Sequence, residues 1–224
     1  MPVGNKIVYD FKRPARETVE QFRGIPVANI DDNMGRIAAV HSSIVPMNKV
    51  PLLGPAFTVK VPQGDNLMFH KAMDLAQKGD VIVIDAGGFD DRAIFGELMI
   101  TYLASRGIAG VVVDGAIRDV EEISEMTDIS VYAKAVTPNG PYKNGPGEIG
   151  TPVTIGGKIV HPGDIVYGDG DGIIIIDPAL ADELAAQGRA TVEKEDKIRR
   201  DILEKGIYPR PWVDEKLKEI GCEF

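Results

Sequence analysis

The chain has 224 residues, of which 44% are hydrophobic and 26% are charged, and this composition is typical of a folded protein with a sizeable core. Its formal net charge of -9 argues against nucleic-acid binding, because proteins with that function present a basic face to the phosphate backbone. The single cysteine, Cys222, excludes an internal disulfide and a cysteine-based metal site. No apolar run is long enough to span a bilayer, so we expect a cytoplasmic, single-domain protein with no membrane contact.

The N-terminal segment carries weak signals. A faint helical pattern covers residues 7–23, and residues 27–36 predict a short helix that carries Asp31 and Asp32. Adjacent carboxylates at a helix are more often solvated than catalytic, so spacing alone assigns Asp32 no chemistry.

The segment from residue 56 to residue 84 predicts alternating strands and a helix. Residues 56–61 alternate as a strand does, and residues 67–77 show an apolar helical stripe that Asp65 or Asn66 can cap. His70 lies within that helix, where a lone histidine is usually a packed or surface residue, and we assign it no role. Residues 81–84 are all β-branched and predict a strand that is buried on both faces.

A second helix and strand follow and complete a predicted βαβ unit. In the helix after Gly96, the residues Leu98, Met99, Tyr102 and Leu103 are predicted to form the packed face, and Gly107 to end it. The N-terminus of this helix, at residues 96–99, is suited to bind an anion, because its first amides have no partners within the helix.

The central stretch of the chain is residues 110–119, in which a buried strand at 111–113 runs into a predicted Asp114-Gly115 turn and then into Arg118 and Asp119. Ligands of α/β sheets bind beyond the carboxyl ends of the strands. There, an arginine can grip a carboxylate through two parallel bonds, and an aspartate can hold a hydrated divalent cation. Spacing alone slightly favours a structural interpretation, in which Asp119 caps a helix over 120–126, Glu122 completes a capping box and Arg118 lies at the surface.

The C-terminal half predicts more strands and a long helix. A strand covers 130–136, and the 137–150 loop after it is long enough to be functional. A hairpin turns at Gly156-Gly157, and two strands flank an acidic turn whose Asp169 and Asp171 lack the further ligands of a calcium loop. Asp177 caps a helix to about residue 205, and a tail containing the only tryptophan, Trp212, follows; we expect residues 178–224 to meet a neighbouring subunit.

Five motifs in order resemble one known family over about residues 28–200. They are Gly64-Asp65-Asn66, the Gly79-Asp80 strand start, Gly96-Glu97-Leu98-Met99, Gly110-x3-Asp114-Gly115-x2-Arg118-Asp119, and Pro162-Gly163-Asp164-x4-Asp169-x2-Gly172. The chain resembles the family of the regulator of ribonuclease E activity and the class II 4-hydroxy-4-methyl-2-oxoglutarate/4-carboxy-4-hydroxy-2-oxoadipate aldolases. The resemblance implies an α/β fold of the three-layer β/β/α swivelling type with a βαβ core and a C-terminal helical extension. It also implies a trimer or a dimer of trimers.

The resemblance further implies a set of site residues. Arg118 would bind the carboxylate of a keto acid, Asp119 would hold Mg²⁺ or Mn²⁺ largely through water, and Gly96, Leu98 and Met99 would present backbone amides to the substrate. Glu97 and Asp32 would order the waters around the metal. A glutamate from a neighbouring subunit's C-terminal helix would complete the site, either Glu193 or, as we favour, Glu195.

The activity implied is the metal-dependent cleavage of a 4-hydroxy-2-oxo acid to pyruvate and a second oxo acid, with oxaloacetate decarboxylation as a side activity. Two alternatives stay open. In the first, the chain is a non-catalytic regulator that binds a ribonuclease or another protein. In the second, it is an enzyme that carries out the same chemistry on a different hydroxy-keto acid or sugar acid.

Overall fold

The protein was analysed as a computed structural model that describes residues 4–223. The strands within this range are β1 (Asn5–Ile7), β2 (Val45–Pro46), β3 (Leu52–Lys60), β4 (Val81–Ala93), β5 (Gly110–Ile117), β6 (Ser130–Val136), β7 (Gly147–Ile149), β8 (Val153–Ile155), β9 (Lys158–Val160), β10 (Ile165–Asp169) and β11 (Gly172–Ile176). The helices are α1 (Arg16–Glu20), α2 (Val27–Asn33), α3 (Leu67–Leu75), α4 (Glu97–Ser105), α5 (Val120–Ser124), α6 (Ala181–Lys205) and α7 (Pro211–Glu219). A 3₁₀ turn, Pro178–Leu180, precedes α6.

The central sheet has the order β1-β7-β3-β4-β5-β6-β2, with β10 also paired to β3 and β11 to β10. The pairs β3–β4, β4–β5 and β5–β6 are parallel, so β4, α4 and β5 form the predicted βαβ unit. The carboxyl ends of these strands therefore meet at one edge of the sheet, where ligands of α/β proteins bind.

Both faces of the central strands are buried, as their unbroken β-branched sequences predict. In β4, Ile82 and Ile84 pack into the apolar cluster that contains α3 and α4, whereas Val81 and Val83 pack into a second cluster with the β8–β9 hairpin. A third cluster joins α1, α2 and α6 to β10 and β11. The stacking of a helical layer, the main sheet and a second β layer confirms the predicted β/β/α architecture with a C-terminal helix.

Several boundaries differ from the sequence prediction. Asp114 and Gly115 do not turn the chain but continue β5, and β4 likewise runs on through Gly87 and Gly88 with two shifts of register. Gly115 is required by crowding rather than by a turn, because an added Cβ would lie 3.0 Å from the Cβ of Ala86. Residues 7–23 are mostly non-helical, since only α1 is helical there and β1 instead pairs with β7.

The C-terminal segment is more regular than predicted. The helix α6 is continuous through Gly188, where the missing side chain lets it pack closely on Ile25 and Ile30. The tail after residue 208 forms α7. None of the helices in the described range combines the length and apolarity needed to cross a membrane.

Candidate active site

A cavity of about 210 Å³ opens at the carboxyl edge of the sheet, beside the N-terminus of α4. We call it the Arg118 pocket; its lining residues are Asn66, His70, Ile94, Phe95, Gly96, Leu98, Met99, Arg118, Asp119, Pro141 and Lys143. Its wall is formed by the residues after β4 and β5, the start of α3 and the 137–150 loop. Four segments that are far apart in sequence therefore converge on the position where the sequence placed Arg118 and Asp119.

Asp119 adopts a backbone conformation that few residues adopt. Its φ of 58° and ψ of 42° lie in the left-handed region, and Arg36 is the other non-glycine residue with positive φ in the described range. Such conformations cost free energy and are retained mainly at functional sites, although Asp tolerates them better than most residues. The chain thus holds Asp119 in an unusual geometry directly after β5.

The side chain of Asp119 does not cap α5, although its carbonyl starts that helix. Instead, Asp119 Oδ2 accepts a hydrogen bond of 3.1 Å from the Glu97 amide at the start of α4. The side chain of Glu122 makes no return bond to Asp119 within the described chain. The helix-cap interpretation of Asp119 is therefore not supported by the geometry.

Gly96 allows this contact between the two segments. Its backbone is extended, so the glycine is not needed for a left-handed conformation. A Cβ built at Gly96 would overlap Asp119 Oδ2 and lie 3.0 Å from Arg118 Cγ. The absence of a side chain at position 96 therefore lets Arg118 and Asp119 lie against the start of α4.

We expect Gly96→Ala to reduce turnover of the substrate at least about 100-fold, because the methyl group displaces the two side chains and misplaced groups lose effective positioning. Melting temperature and kcat/KM should be measured together. Gly170→Ala is the matched control, since no atom lies within 4 Å of the Cβ position there. Wild-type kcat/KM in Gly96→Ala would show that this close approach has no functional importance.

Arg118 lies at the mouth of the pocket with about half of its side chain exposed. Its Nε is 3.6 Å from Asp119 Oδ2, a distance at which the two charges attract but leave the guanidinium edge available. Within residues 4–223, no acceptor is assigned to its terminal nitrogens. The arrangement presents a planar pair of donors to the cavity, which suits a carboxylate.

The start of α4 contributes fewer amides than the sequence suggested. The Met99 and Ile100 amides donate to the Gly96 carbonyl at 3.2 and 3.4 Å, and the Glu97 amide is bonded to Asp119. In the described chain, no protein acceptor takes the Leu98 amide, and the Leu98 side chain is 80% exposed rather than packed as predicted. Leu98 therefore offers the most accessible N–H group at this helix end.

The three predicted acidic residues lie in two places. Glu97 adjoins the pocket, and its Oε1 accepts a 2.6 Å bond from Thr101 Oγ1. Asp32 on α2 is exposed and pairs with Arg36 at 2.8 Å, whereas Glu195 on α6 accepts a 2.9 Å bond from Asn29.

The helices that carry Asp32 and Glu195 pack against each other, but neither residue lines the Arg118 pocket of its own chain. The structure of the single chain therefore does not bring Asp32 to the site where the resemblance implied that it would order the waters around the metal. The bond from Asn29 fixes Glu195 on the α2 side of α6, and the choice of Glu195 over Glu193 stays a prediction.

Two residues that were assigned no chemistry from the sequence, Asn66 and His70, line the pocket. Asn66 is only 2% exposed, and its Nδ2 donates to the Ile94 carbonyl at 2.8 Å, so its Oδ1 is left without a partner in the described chain. His70 Nε2 is likewise buried and unpartnered there. Burial, and secondly the nearby charge of Lys143, lower the pKa of His70. Only the Gly64-Asp65-Asn66 motif gave a sequence signal for this part of the site.

The 137–150 loop is held over the pocket by a buried carboxylate. Asp65 Oδ2 accepts hydrogen bonds from the Asn144 and Gly145 amides, and its Oδ1 accepts from the Leu67 amide at 2.9 Å. Arg92 adds a bond to the Gly140 carbonyl and stacks on the ring of Tyr142 at 4.2 Å. The loop is therefore fixed by the fold, and it brings Pro141 and Lys143 to the cavity wall.

A larger cavity of about 470 Å³ lies beside α1, away from these residues. Four of its charged side chains are already paired, because Arg13 binds the buried Asp80 through two bonds and Arg23 binds Glu20, and Arg16 and Lys78 also line it. The smaller Arg118 pocket contains buried polar atoms that have no partner in the described chain, Asn66 Oδ1 and His70 Nε2, and is therefore the better candidate for an active site.

The comparisons with known proteins identify the family of the chain. The sequence model of the RraA-like family, described as Aldolase/RraA, matches residues 27–175. A protein of Halalkalibacterium halodurans with the name "Putative 4-hydroxy-4-methyl-2-oxoglutarate aldolase" is 38% identical over 85% of this chain and 96% of its own length.

Solved structures give the same result. Streptomyces coelicolor RraAS2, described as an unusual member of the RNase ES inhibitor RraA protein family, superposes with a TM-score of 0.74 at 25% identity over 85% of this chain and 100% of its own. The RNA-processing inhibitor RraA from Thermus thermophilis gives 0.61 at 29% identity over 66% of this chain and 90% of its own. These likenesses confirm the predicted swivelling-type fold, and with the sequence match they show that the chain belongs to the RraA-like family.

Proposed function

We propose that the chain is a divalent-metal-dependent aldolase of class II, which cleaves a 4-hydroxy-2-oxo acid to pyruvate and a second oxo acid and also decarboxylates oxaloacetate. The observation that carries this proposal is the juxtaposition of Arg118, Asp119 and the start of α4 at one cavity, with Asp119 in a left-handed conformation. The aldolase names of relatives at 38–39% identity support a lyase.

The residues of the pocket fit a weakly held hard cation. No group of three or more His, Cys, Asp or Glu side chains that could hold a metal occurs in the described chain. Mg²⁺ and Mn²⁺ need less than that, because they keep several waters and bind through one or two carboxylates together with substrate oxygens. Asp119 would hold such an ion, which would supply Lewis-acid polarisation of the keto-acid oxygens when bound.

The chain's own groups account for substrate orientation and charge stabilisation. Arg118 binds the carboxylate next to the keto group through two bonds, and the Leu98 amide donates to the same end of the substrate. As negative charge develops on the keto oxygen, the guanidinium and the positive end of α4 stabilise it without reorganising. Asp119 and Glu97 hold a water beside the substrate's 4-hydroxyl group.

The bond changes balance without a redox partner. The water passes the 4-hydroxyl proton to the Glu97 carboxylate, the C3–C4 bond breaks, and C4 becomes the carbonyl carbon of the second oxo acid. The bonding electrons form the enolate of pyruvate, and its C3 takes up one proton from Glu97 through the same water. Loss of CO₂ from oxaloacetate gives the same enolate, so one set of residues supports both reactions.

The proposed assembly is a homotrimer or a dimer of trimers. The long α6 and the following α7 leave large apolar side chains exposed, namely Ile202, Leu203, Ile207, Tyr208, Trp212 and Ile220. A neighbouring copy would cover them and bring its own Glu195 and Asp32 towards the Arg118 pocket. Molar mass from light scattering distinguishes a trimer from a hexamer or a monomer.

A non-catalytic regulator is the second candidate function. A relative at 29% identity is described as an RNA-processing inhibitor, and one at 25% identity as an unusual member of an RNase ES inhibitor family. The net charge of -9 gives this chain an acidic surface. A pure binding protein, however, has no need to hold Asp119 in a left-handed conformation against a glycine. A third candidate function is an enzyme that carries out the same chemistry on a sugar acid in place of a 4-hydroxy-2-oxo acid.

Enolate formation can be tested without knowing the natural substrate. With pyruvate and Mg²⁺ in D₂O, we expect the enzyme to exchange the methyl protons of pyruvate for deuterium, as followed by proton NMR. Excess EDTA should stop the exchange. Exchange that persists in EDTA would contradict the metal dependence, and no exchange in saturating Mg²⁺ or Mn²⁺ would favour the regulator.

A further inference from the structure

The larger cavity beside α1, of about 470 Å³, lies at the opposite edge of the sheet from the Arg118 pocket. Its inner wall is formed by the residues that precede β4 and β5 and by the first half of β3. The two cavities share no lining residue, and the eight residues of β5 run for roughly 25 Å between Ala109 at one cavity and Arg118 at the other. We call the larger one the amino-edge cavity.

The outer wall of the amino-edge cavity is formed by a segment that the family model does not match. The RraA-like model covers residues 27–175, whereas Arg13, Arg16 and Arg23 lie before it, on and around α1. The N-terminal segment of this chain therefore closes the cavity against the matched core. The cavity depends on both parts of the chain.

The amino-edge cavity has a surplus of positive charge, although the chain as a whole has a formal net charge of -9. Six charged side chains line it, four cationic and two anionic: Arg13, Arg16, Arg23, Lys78, Glu20 and Asp80. Four positive charges less two negative charges leave two positive charges that the wall itself does not neutralise.

Both carboxylates of the amino-edge cavity are already paired with an arginine. Asp80, which is 1% exposed, accepts bonds of 2.7 and 2.8 Å from Nε and Nη2 of Arg13, and Glu20 accepts two bonds from Arg23. Nη1 of Arg13 has no acceptor within the described chain and stays available as a donor. The cavity therefore presents no free negative charge to a ligand.

Arg16 and Lys78 supply the two unpaired charges. Within residues 4–223, neither side chain forms an ion pair or a hydrogen bond. The bond from Arg23 and, more weakly, the charge of Arg16 lower the pKa of Glu20, which shows that Arg16 lies near that pair. Lys78 runs along Gly107, where a Cβ would lie 3.0 Å from Lys78 Cγ and 3.4 Å from its Cε. The missing side chain lets the lysine stem lie against the edge of the cavity.

The floor of the amino-edge cavity is apolar. It is lined by Val19, Leu53, Ala109, Pro14 and Pro55. Its volume falls within the range of about 300–1,000 Å³ that is usual for small-molecule sites, which combine an apolar wall with a few polar groups. An organic body on this floor would be removed from water, and inorganic phosphate or another small ion could not gain that affinity.

We propose that the amino-edge cavity binds an organic phosphate, a monoester whose phosphate group meets Arg16 and Lys78 and whose apolar body lies on the floor. A phosphate monoester carries a charge of about -1.5 to -2 at pH 7, which matches the surplus of two, whereas a single carboxylate carries only one charge. The guanidinium group of Arg16 can bind two phosphate oxygens in parallel, and Nη1 of Arg13 is a further donor. This site is independent of the proposed aldolase function.

Calorimetry with phenyl phosphate tests the chemistry of the site, in EDTA so that no metal can hold the phosphate group. We expect phenyl phosphate to bind at least about tenfold more tightly than inorganic phosphate, because its ring is buried on the apolar floor. Phenol, which has the ring without the charge, should bind more weakly than phenyl phosphate by at least as much. Equal affinity of phenyl phosphate and either control, or no binding of phenyl phosphate at millimolar concentration, would overturn the proposal.

Variants test the location of the site. Arg16→Gln combined with Lys78→Gln should weaken phenyl phosphate binding at least about tenfold, and the fold should be kept because both side chains are exposed and unpaired. Lys6→Gln combined with Lys12→Gln removes two exposed charges of the same segment outside the cavity and should have no effect. Arg118→Gln should have none either. Unchanged affinity in the first variant, or an equal loss in either of the other two, would overturn the assignment to this cavity.

Discussion

Replacement of Asp119 by asparagine should lower kcat/KM for keto-acid cleavage by about 10³-fold, because cation-assisted charge stabilisation is worth several kcal/mol and each 1.4 kcal/mol is a factor of ten. Asparagine is the most informative substitution at this position. It tolerates the left-handed backbone, and its amide oxygen can still accept the Glu97 N–H bond, so the geometry at the start of α4 is retained. Only the negative charge is lost.

The control for this substitution is Glu121→Gln, which removes a carboxylate two residues away, in the first turn of α5. It should leave kcat/KM within about twofold of the wild type, as surface substitutions usually do. Circular dichroism and light scattering should show the same fold and oligomer in all three proteins. Loss of the oligomer in Asp119→Asn, or an equal loss of activity in both variants, would contradict a specific role of Asp119 in holding the metal.

Arg118→Lys should lower kcat/KM by about 100-fold, because an ammonium cannot make two parallel bonds to a carboxylate and charge-assisted bonds are worth about 1.5–3 kcal/mol. Most of the loss should appear in KM for a keto acid if the contact is equally strong in the ground and transition states. A fall in kcat as well would show that Arg118 also stabilises the developing enolate.

The matched exchange is Arg23→Lys, at an exposed ion pair with Glu20 that does not line the Arg118 pocket. Exposed pairs of this kind contribute little, so both stability and kcat/KM should stay near the wild-type values. If the Arg118→Lys enzyme is as active as the Arg23→Lys enzyme, Arg118 does not bind the substrate carboxylate.

The elements that could be predicted from sequence are those with strong local signals. The β-branched segments of β4 and β5 are buried on both faces, Gly107 ends α4 in a left-handed conformation, and Asp177 caps the turn before α6 by accepting from the Ala179 amide. Each of these depends on interactions within a few residues, or on burial that periodicity reveals.

The predictions that were wrong concern positions where tertiary pairing overrides local preference. Asp114-Gly115 is a turn dipeptide, yet it stays in β5 because Gly115 pairs with Phe89 of β4 and has no space for a side chain. Leu98 is apolar and at helical spacing, yet it is exposed beside the pocket. Such tertiary contacts cannot be read from a single sequence.

The candidate site was only partly predictable for the same reason. Arg118 and Asp119 follow a buried strand, and this position marks them for chemistry. Asn66, His70 and Lys143 join them only because Asp65 fastens the 137–150 loop to the start of α3. A histidine inside an amphipathic helix gives no sign that its ring nitrogen is buried beside a cavity.

The most direct measurement is pyruvate release from 4-hydroxy-4-methyl-2-oxoglutarate and from oxaloacetate, with Mg²⁺ and then with EDTA. We expect both substrates to release pyruvate and both reactions to stop when the chelator is added, because one enolate-stabilising site at Arg118 and Asp119 serves both. Release from neither substrate by a protein that is folded and saturated with Mg²⁺ or Mn²⁺ would contradict the account.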